Sequence, residues 1–252
     1  MSAWRGRRVW IIGASSGIGA ATARLLLAKG ARVALSARSR EPLAELAGSA
    51  PERALALPLD ANRGDEVAAA LRAIVANWGG LDLALFCAGT YTPMRAWSLD
   101  AGRAGEMLRL NLDSQIAGLG EVLPVLLSQG SGGIALVSSV AGYSGLPNAL
   151  VYGATKAALI NLAETLYLDL APRGIAVYLV NPGFVKTPLT DRNTFPMPAL
   201  VSAEEAAREI VSGMERGRFE IHFPRRFTAL LKLARLLPYP IYFRLARRAT
   251  GS

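Results

Sequence analysis

The chain contains 252 residues, of which 52% are hydrophobic and 19% charged, and its formal net charge is +9. A chain of this length can bury a large core in one domain, so it needs no disulfide or metal for stability. The single cysteine excludes an intramolecular disulfide. The single histidine excludes a multi-histidine metal site and leaves only His222 for a Ser-His-Asp triad. The positive charge favours acidic partners such as phosphates, anionic lipid or nucleic acid.

The N-terminal residues do not read as a targeting signal. Three arginines precede the apolar run Val9–Ile12, which is much shorter than the apolar stretch of about 7–15 residues in a signal peptide. No window of about 18 uncharged apolar residues predicts a membrane-spanning helix. We therefore expect a cytoplasmic protein. Its basic charge is concentrated in residues 223–252, which contain no acidic residue and seven basic ones: Arg225, Arg226, Lys232, Arg235, Arg244, Arg247 and Arg248.

Short apolar segments alternate with segments of helical periodicity. The predicted strands are Val9–Ile12, Arg32–Ser36, Ala54–Leu57, Leu83–Phe86, Ile134–Val137, Ile175–Val180 and Phe219–Phe223. The predicted helices are Ile18–Lys29, Glu41–Ala47, Asp65–Asn77, Gly105–Leu127 and Leu150–Leu170. This alternation predicts an α/β fold, a doubly wound parallel sheet with helices on both faces and ligands at the carboxyl ends of the strands. We expect one domain over residues 1–222 and a basic C-terminal appendage over residues 223–252.

A glycine-rich turn follows the first predicted strand and opens the first predicted helix. It runs Gly13-Ala-Ser15-Ser16-Gly17-Ile18-Gly19. Its glycines let backbone N–H groups approach a pyrophosphate closely, and the helix N-terminus points at the negative charge. Tight turns also need glycine for steric reasons alone, so the spacing is a weak signal by itself. Its position between strand and helix predicts a dinucleotide site.

The end of the second predicted strand distinguishes between the two nicotinamide cofactors. Sheets that bind NAD usually place a carboxylate there for the ribose 2′-hydroxyl. This chain instead has Ala37 followed by Arg38, with Arg40 nearby. A guanidinium attracts a 2′-phosphate and can bind it through two hydrogen bonds. The sequence therefore favours NADP(H), with a solvated surface arginine as the alternative.

A tyrosine and a lysine are four residues apart near the start of the predicted helix Leu150–Leu170. Tyr152 and Lys156 share a helix face, so the ammonium can stabilise the phenolate and lower the pKa of the phenol from about 10. Such a pair is more often a surface contact. Here Ser139, thirteen residues upstream, ends a predicted strand and could donate a hydrogen bond to a carbonyl oxygen held near Tyr152.

Together these motifs resemble the short-chain dehydrogenase/reductase family, and the resemblance extends from residue 7 to about residue 222. The positions that carry it are the glycine turn, Ala88-Gly89, Asn111, Ser139, Tyr152, Lys156 and Asn181-Pro182-Gly183. The resemblance implies a seven-stranded parallel sheet of the Rossmann type and hydride transfer between a nicotinamide and a carbonyl or alcohol. We also expect a homo-oligomer, a dimer or tetramer formed through the two long helices.

The resemblance implies a role for each matching residue. Tyr152 resembles the catalytic acid/base, and Lys156 the residue that lowers the pKa of that tyrosine and binds the nicotinamide ribose. Ser139 resembles the substrate-orienting hydroxyl, and Asn111 the asparagine that holds a water in the proton relay. The other cofactor contacts that the family implies are Asp60 at the adenine, Ala88, Gly89, Pro182, Gly183 and Thr187.

Two positions depart from the family pattern. Ile12 precedes the glycine turn where the family usually has threonine, and Phe86-Cys87 stand where asparagines usually precede Ala-Gly. We expect packing to replace a structural hydrogen bond between two central strands, an exchange that is nearly neutral when both partners change. Cys87 is expected to be a small buried residue, and His222 a packed residue of the last strand.

The substrate loop and the C-terminal segment give weaker signals. Phe195 and Met197 favour an apolar or lipid-like substrate, or they simply pack the loop onto the domain. Residues 225–237 and 241–249 form two basic amphipathic stretches interrupted by Pro238 and Pro240, a pattern typical of helices that bind anionic membranes. The alternative is a helix pair packed on the domain or on another subunit. Nucleic acid is not expected, because the basic stretch lacks a base-stacking platform.

The sequence therefore predicts an NADP(H)-dependent oxidoreductase that interconverts a carbonyl and a secondary alcohol on a small molecule. One alternative is a membrane-associated NADP-binding module without turnover, and the presence of Ser139, Tyr152, Lys156 and Asn111 argues against it. Another is epimerase-type chemistry, whose members generally carry a larger C-terminal substrate domain than residues 223–252 provide.

Overall fold

The computed structural model describes residues 3–192 and 197–250. Its strands are β1 Arg8–Ile12, β2 Arg32–Ser36, β3 Ala54–Ala56, β4 Leu83–Phe86, β5 Gly132–Val137, β6 Ile175–Pro182 and β7 Glu220–Phe223. The helices in this part of the chain are α1 Gly17–Ala28, α2 Arg40–Gly48, α3 Gly64–Trp78, α4 Ala101–Leu108, α5 Ser114–Gln129, α6 Leu150–Leu170, α7 Ala203–Glu215, α8 Arg225–Ala234 and α9 Tyr239–Thr250.

The strands form one seven-stranded parallel sheet in the order β3-β2-β1-β4-β5-β6-β7. The predicted doubly wound α/β fold is therefore confirmed. Neighbouring β1 residues point to opposite faces of the sheet: Val9 and Ile11 pack with α1, α2 and α7, whereas Trp10 and Ile12 pack with α3, α5 and α6. Both faces are covered by helices, which is why the central strands are apolar throughout.

Two helical regions differ from the sequence prediction. The predicted helix Gly105–Leu127 begins earlier, after the N-cap Asp100, and a π-helical turn at Arg109–Asp113 divides it into α4 and α5. Helix α7 was not predicted at all. Its signal in the sequence is a capping box, in which Ser202 and Glu205 each accept a hydrogen bond from the other's backbone N–H.

The C-terminal segment is only partly separate from the domain. The predicted boundary at residue 222 falls inside β7, whose last residue, Phe223, is buried in the core. Helix α8 packs on β7, with Thr228 fully buried and its hydroxyl 2.6 Å from Nδ1 of His222. His222 is thus a packed residue of the edge strand, as expected. Pro240 does not interrupt α9 but lies in its first turn, where proline is tolerated.

Only part of the apolar face of the amphipathic stretch predicted for residues 225–237 packs on the domain. Phe227 and Leu231 pack against the core, whereas Leu230 and Leu233 on the same predicted face are exposed. Within residues 3–192 and 197–250, no helix combines the length and the hydrophobicity that crossing a membrane requires.

Candidate active site

A cleft of about 280 Å³ opens at the carboxyl ends of the strands. It lies beside β1 and β4, where the connections of a doubly wound sheet reverse direction and leave room for a ligand. Fifteen of the seventeen residues predicted for the site line it: Gly13, Ser15, Ser16, Gly17, Ile18, Arg38, Asp60, Ala88, Gly89, Ser139, Tyr152, Lys156, Pro182, Gly183 and Thr187. The other two, Gly19 and Asn111, contact the cleft wall from behind.

The glycine turn is held against its neighbours by backbone contacts. The N–H groups of Gly13 and Ala14 donate to the carbonyl oxygen of Ser36 at 2.7 and 3.0 Å, which ties the turn to the end of β2. A Cβ on Gly13 would lie 2.5 Å from the backbone nitrogen of Ala88. A Cβ on Gly19 would overlap the carbonyl oxygen of Gly13. Gly19 therefore acts through packing, by letting α1 approach the turn.

The N-terminus of α1 suits a negatively charged group. Ser16 is the N-cap residue, but its side chain makes no capping hydrogen bond, and the first turn contains no acidic residue. The first N–H groups of a helix have no partner within the helix, and the helix dipole makes this end positive. Thr187 borders the turn, since its Cγ2 would lie 2.9 Å from a Cβ on Gly17. The cradle thus fits the diphosphate of a dinucleotide.

At the other end of the cleft, Arg38 and Asp60 follow β2 and β3. Arg38 is exposed, and its guanidinium makes no ion pair with the described residues. Asp60 accepts hydrogen bonds from the backbone N–H and the side-chain amide of Asn62 at 3.0 and 3.1 Å. The arginine is therefore free to bind an anion, whereas the aspartate is held by its own turn.

Ser139, Tyr152 and Lys156 meet in the middle of the cleft. Ser139 lies close enough to Tyr152 for its hydroxyl to lower the pKa of the phenol. Because Oγ of Ser139 accepts the N–H of Ala141 at 3.1 Å, its own hydroxyl proton is free to be donated. Lys156 places Nζ 5.6 Å from the centroid of the Tyr152 ring and donates to the carbonyl oxygen of Val137 at 2.9 Å. The structure thus brings the three predicted groups together.

Burial dominates the ionisation of this cluster. It raises the pKa of Tyr152 to about 12, although the hydroxyl of Ser139 lowers it. Burial also lowers the pKa of Lys156 to about 8. Lys156, which was expected to lower the pKa of Tyr152, is not among the groups that shift it in this structure. The phenol is therefore neutral at physiological pH and carries a proton that it can donate.

Comparison with known proteins identifies the family. The family model described as short chain dehydrogenase matches residues 7–196. The chain belongs to this family. An uncharacterized oxidoreductase of Myxococcus xanthus is 34% identical over 245 residues, which cover 96% of this chain and 97% of the relative.

Two solved structures show the same fold. A short-chain dehydrogenase/reductase from Burkholderia phymatum, in complex with NAD, has a TM-score of 0.85 at 24% identity and covers 93% of this chain and 94% of its own. The 3-ketoacyl-(acyl-carrier-protein) reductase from Brucella melitensis, complexed with NADH, has a TM-score of 0.80 at 23% identity. That alignment covers 88% of this chain and 99% of the reductase.

In this family member, Asn111 holds protein backbone and does not line the cleft. Its Oδ1 accepts the N–H of Thr90 at 2.7 Å, and its Nδ2 donates to the carbonyl oxygen of Thr90 at 2.9 Å and to Oγ1 of Thr155 at 3.3 Å. The side-chain amide is therefore engaged at both ends. These bonds fix the loop after β4 to α6, and the water that the family resemblance places at Asn111 stays a prediction.

The structure also reveals supporting residues that the sequence did not indicate. Oγ of Ser138 donates to the carbonyl oxygen of Lys156 at 2.7 Å, which joins the end of β5 to α6. The ring of Tyr91 contacts the ring of Tyr152 edge-on, with 5.0 Å between centroids. Ser138 could have been suspected as the neighbour of Ser139, whereas Tyr91 belongs to no motif.

Glu220 joins the end of β6 to the segment that follows Ser139. Its Oε1 accepts hydrogen bonds from the hydroxyl of Tyr143 at 2.6 Å and from the side-chain amide of Asn181 at 2.9 Å, and Lys232 of α8 forms an ion pair with Oε2. Burial acts to raise the pKa of Glu220, but the hydrogen bonds from Lys232, Tyr143 and Asn181 outweigh it and hold the pKa below its ordinary value. No sequence motif pointed to this carboxylate.

The two departures from the family pattern are explained by packing. Ile12 pairs with Phe86 in the sheet, and both side chains are buried. The Phe86 ring occupies the space beside Gly118 of α5, where a Cβ would lie 2.6 Å from Cε1. Cys87 lines the cleft, and burial raises the pKa of its thiol to about 11. Of the two residues proposed for the substrate loop, Met197 is half-buried and Phe195 lies outside the described residues.

We expect Gly142→Ala to disturb the catalytic cluster through the backbone. A Cβ at this position would lie 2.7 Å from the carbonyl carbon of Lys156, so the turn carrying Ser139 must move away from α6. We expect a loss of about 1–3 kcal/mol in the free energy of unfolding, measured by urea denaturation. Gly48→Ala is the control, because a Cβ there meets nothing within 4 Å. Equal stability of the two variants would contradict this account.

Proposed function

We propose that this short-chain dehydrogenase is an NADP(H)-dependent oxidoreductase that interconverts a carbonyl and a secondary alcohol. The observation that carries the proposal is the cluster of Ser139, Tyr152 and Lys156 in the same cleft as the glycine turn. A neutral phenol close to a serine hydroxyl can donate a proton, and the buried amine beside it can support the resulting phenolate. We propose Tyr152 as the acid/base and Asn111 as a positioning residue.

The proposed chemistry follows from the positions of these groups. In the reducing direction, negative charge builds on the carbonyl oxygen, and the hydroxyls of Ser139 and Tyr152 donate hydrogen bonds to it. Tyr152 then delivers its proton, and protonated Lys156 stabilises the phenolate that is left. A bound nicotinamide nucleotide supplies the hydride in reduction and accepts it in oxidation. The same protein groups serve both directions, because the phenolate can take the proton back from an alcohol.

The residues of the cleft support the preference for NADP(H). The amides at the start of α1 would hold the diphosphate, Asp60 would border the adenine, and Lys156 would bind the nicotinamide ribose. Arg38, unpaired among the described residues and preceded by Ala37 where a carboxylate would select NAD, would bind the 2′-phosphate. The solved NAD and NADH complexes cited above differ too much in sequence to decide this preference.

Two further proposals concern the partners of the enzyme. We propose an apolar or lipid-like small-molecule substrate, which the half-buried Met197 at the end of the predicted substrate loop supports. We also propose a homo-oligomer, a dimer or tetramer that uses the long helices. These helices expose large apolar side chains to solvent, namely Leu108, Ile116, Leu127, Leu150, Tyr167 and Leu168. The cytoplasm is the proposed location.

The central test is an NADPH oxidation assay across ketones, 3-oxoacyl thioesters, sterols and retinoids. We expect turnover with at least one class and a loss of about 100- to 10,000-fold in kcat for Tyr152→Phe, because general acid catalysis disappears. Tyr167→Phe removes the same hydroxyl from the same helix outside the cleft and should keep full activity. NADPH binding without turnover on any class would favour the binding module instead.

Cofactor preference is tested by Arg38→Ala. We expect KM for NADPH to rise about 10- to 100-fold, because a charge-assisted pair of hydrogen bonds to the 2′-phosphate is lost. The KM for NADH should change little, since NADH lacks that phosphate. Arg40→Ala is the matched control, because Arg40 is also exposed but does not line the cleft. Equal effects of Arg38→Ala on both cofactors would refute the assignment.

The pH dependence of kcat/KM tests the role of Lys156. Since burial lowers the pKa of this lysine to about 8, the amine loses its charge as the pH rises through that value. We expect kcat/KM for carbonyl reduction to fall above about pH 8, because a neutral amine stabilises the phenolate less. Lys156→Arg keeps the charge and should move this limb upward by about two pH units or more, even if its activity is lower. If the fall in kcat/KM stays at the same pH in this variant, another group is responsible for it.

A further inference from the structure

Helix α8 exposes a row of leucines that nothing in the described structure covers. Leu230 and Leu233 of α8, and Leu236 two residues after its end, repeat every three residues along the chain and are 64%, 63% and 79% exposed. The opposite side of α8 is anchored, because Phe227 and Leu231 pack on the core and Thr228 is fully buried. The leucine row therefore belongs to a helix fixed on the domain.

Helix α9 presents arginines on its outer side. Tyr242 and Ala246, four residues apart, are half-buried, and the Tyr242 hydroxyl donates to the carbonyl oxygen of Gly145 at 2.8 Å. On the outer side lie three exposed arginines at helical spacing, Arg244, Arg247 and Arg248. Exposed apolar side chains flank them on the same helix: Tyr239, Ile241, Phe243 and Leu245. We call this outer side, together with the leucine row of α8, the C-terminal face.

The C-terminal face is strongly basic. Residues 223–252 hold seven of the basic side chains and no acidic one, in a chain whose net charge is +9. Lys232 is neutralised by Glu220, but the six arginines of α8, α9 and their connection form no ion pair with any described residue. A partner must therefore offer both negative charge for the arginines and an apolar phase for the leucines.

The two helices contact segments next to the cleft. The Phe227 ring lies beside Gly183, where a Cβ would be 3.2 Å from Cδ1, and its centroid is 6.0 Å from that of Phe184. Gly145, the partner of Tyr242, belongs to the segment between Ser139 and Tyr152. The C-terminal helices thus contact one segment that lines the cleft, at Gly183, and one that connects Ser139 with Tyr152, at Gly145.

We propose that the C-terminal face docks on an anionic lipid bilayer and holds the cleft opening near the membrane surface. The arginines would contact lipid headgroups, and the exposed leucines and aromatic rings would enter the interface between headgroups and acyl chains. Docking does not depend on turnover, so it can fail while the proposed oxidoreductase function stands, and the reverse. If the substrate is lipid-like, this position gives it a direct route from the bilayer to the cleft.

Charge and hydrophobicity favour lipid over the other occupants of this face. A second copy of the chain, docked through the same face, would bring the three exposed arginines of each α9 together, six in all, without an acidic residue from either segment. A nucleic acid offers phosphates for the arginines, but it leaves the leucine row of α8 without an apolar partner. An anionic bilayer satisfies both parts of the face.

The test is co-sedimentation of the full chain with phosphatidylcholine vesicles and with vesicles that also contain phosphatidylglycerol. We expect binding to the anionic vesicles, weakening as salt is added. The variant Arg244→Gln/Arg247→Gln/Arg248→Gln should lower the vesicle affinity about 100-fold, since each arginine near the surface contributes about one factor of five. The control Arg24→Gln/Arg32→Gln/Arg72→Gln removes the same charge from exposed positions elsewhere and should change affinity less than about 3-fold.

A second variant tests the apolar part of the face. Leu233→Gln/Leu236→Gln keeps the charge and should still lower vesicle affinity about 10-fold or more, because the side chains are exposed and their replacement leaves the core intact. Circular dichroism checks that both variants are folded. No binding of the wild-type chain to anionic vesicles, or equal loss in the two arginine variants, would overturn the proposal. If the wild type does not bind vesicles and the leucine variant has a lower molar mass in solution, the face binds a second copy of the chain instead.

Discussion

The cleft depends on a contact between two backbones with no side chain between them. A Cβ on Gly13 would lie 2.5 Å from the backbone nitrogen of Ala88, so only glycine fits there. Gly19 likewise lets α1 pack closely on the same turn. Any side chain there would push β1 and α1 away from the end of β4. This contact gives the diphosphate cradle its shape, and Ser36 holds the turn in place from β2. The proposed catalytic groups, Ser139 after β5 and Tyr152 and Lys156 on α6, can then face a fixed surface.

The sequence predicted the sheet well because its strands are buried on both faces and therefore apolar throughout. Strands β2 and β4 and helix α6 have the predicted bounds. The division of the helix at Asn111 could not be predicted, since apolar spacing continues through a π-helical turn and only the hydrogen bonds change. Helix α7 was missed because it has few large apolar residues and follows a long loop. Ser202 and Glu205 nevertheless form a recognisable capping box at its start.

The sequence predicted those site residues that belong to motifs. It did not predict their pKa values or their hydrogen-bond partners. Spacing placed Tyr152 and Lys156 on one helix face, but the expected direction of the tyrosine pKa was wrong for this structure, because only coordinates reveal that the phenol is buried. Likewise, Asn111 stands at its motif position, while its amide bonds to Thr90 depend on how the loop after β4 folds. Glu220 has no motif, and its importance appears only when β6, β7 and α8 are seen side by side.

Burial shifts the pKa values of Tyr152 and Lys156, the proposed catalytic pair, in opposite directions. Removing water disfavours charge on both groups, so the phenol keeps its proton while the amine holds its own more weakly. The same loss of water strengthens the attraction between an ammonium and a phenolate, because the local dielectric is low. In the proposed mechanism, Lys156 therefore stabilises the neutral phenol little and the phenolate most, once Tyr152 has given up its proton. A group that mainly stabilises the charge developing in the transition state lowers the barrier. A group that stabilised the ground state and the transition state equally would not.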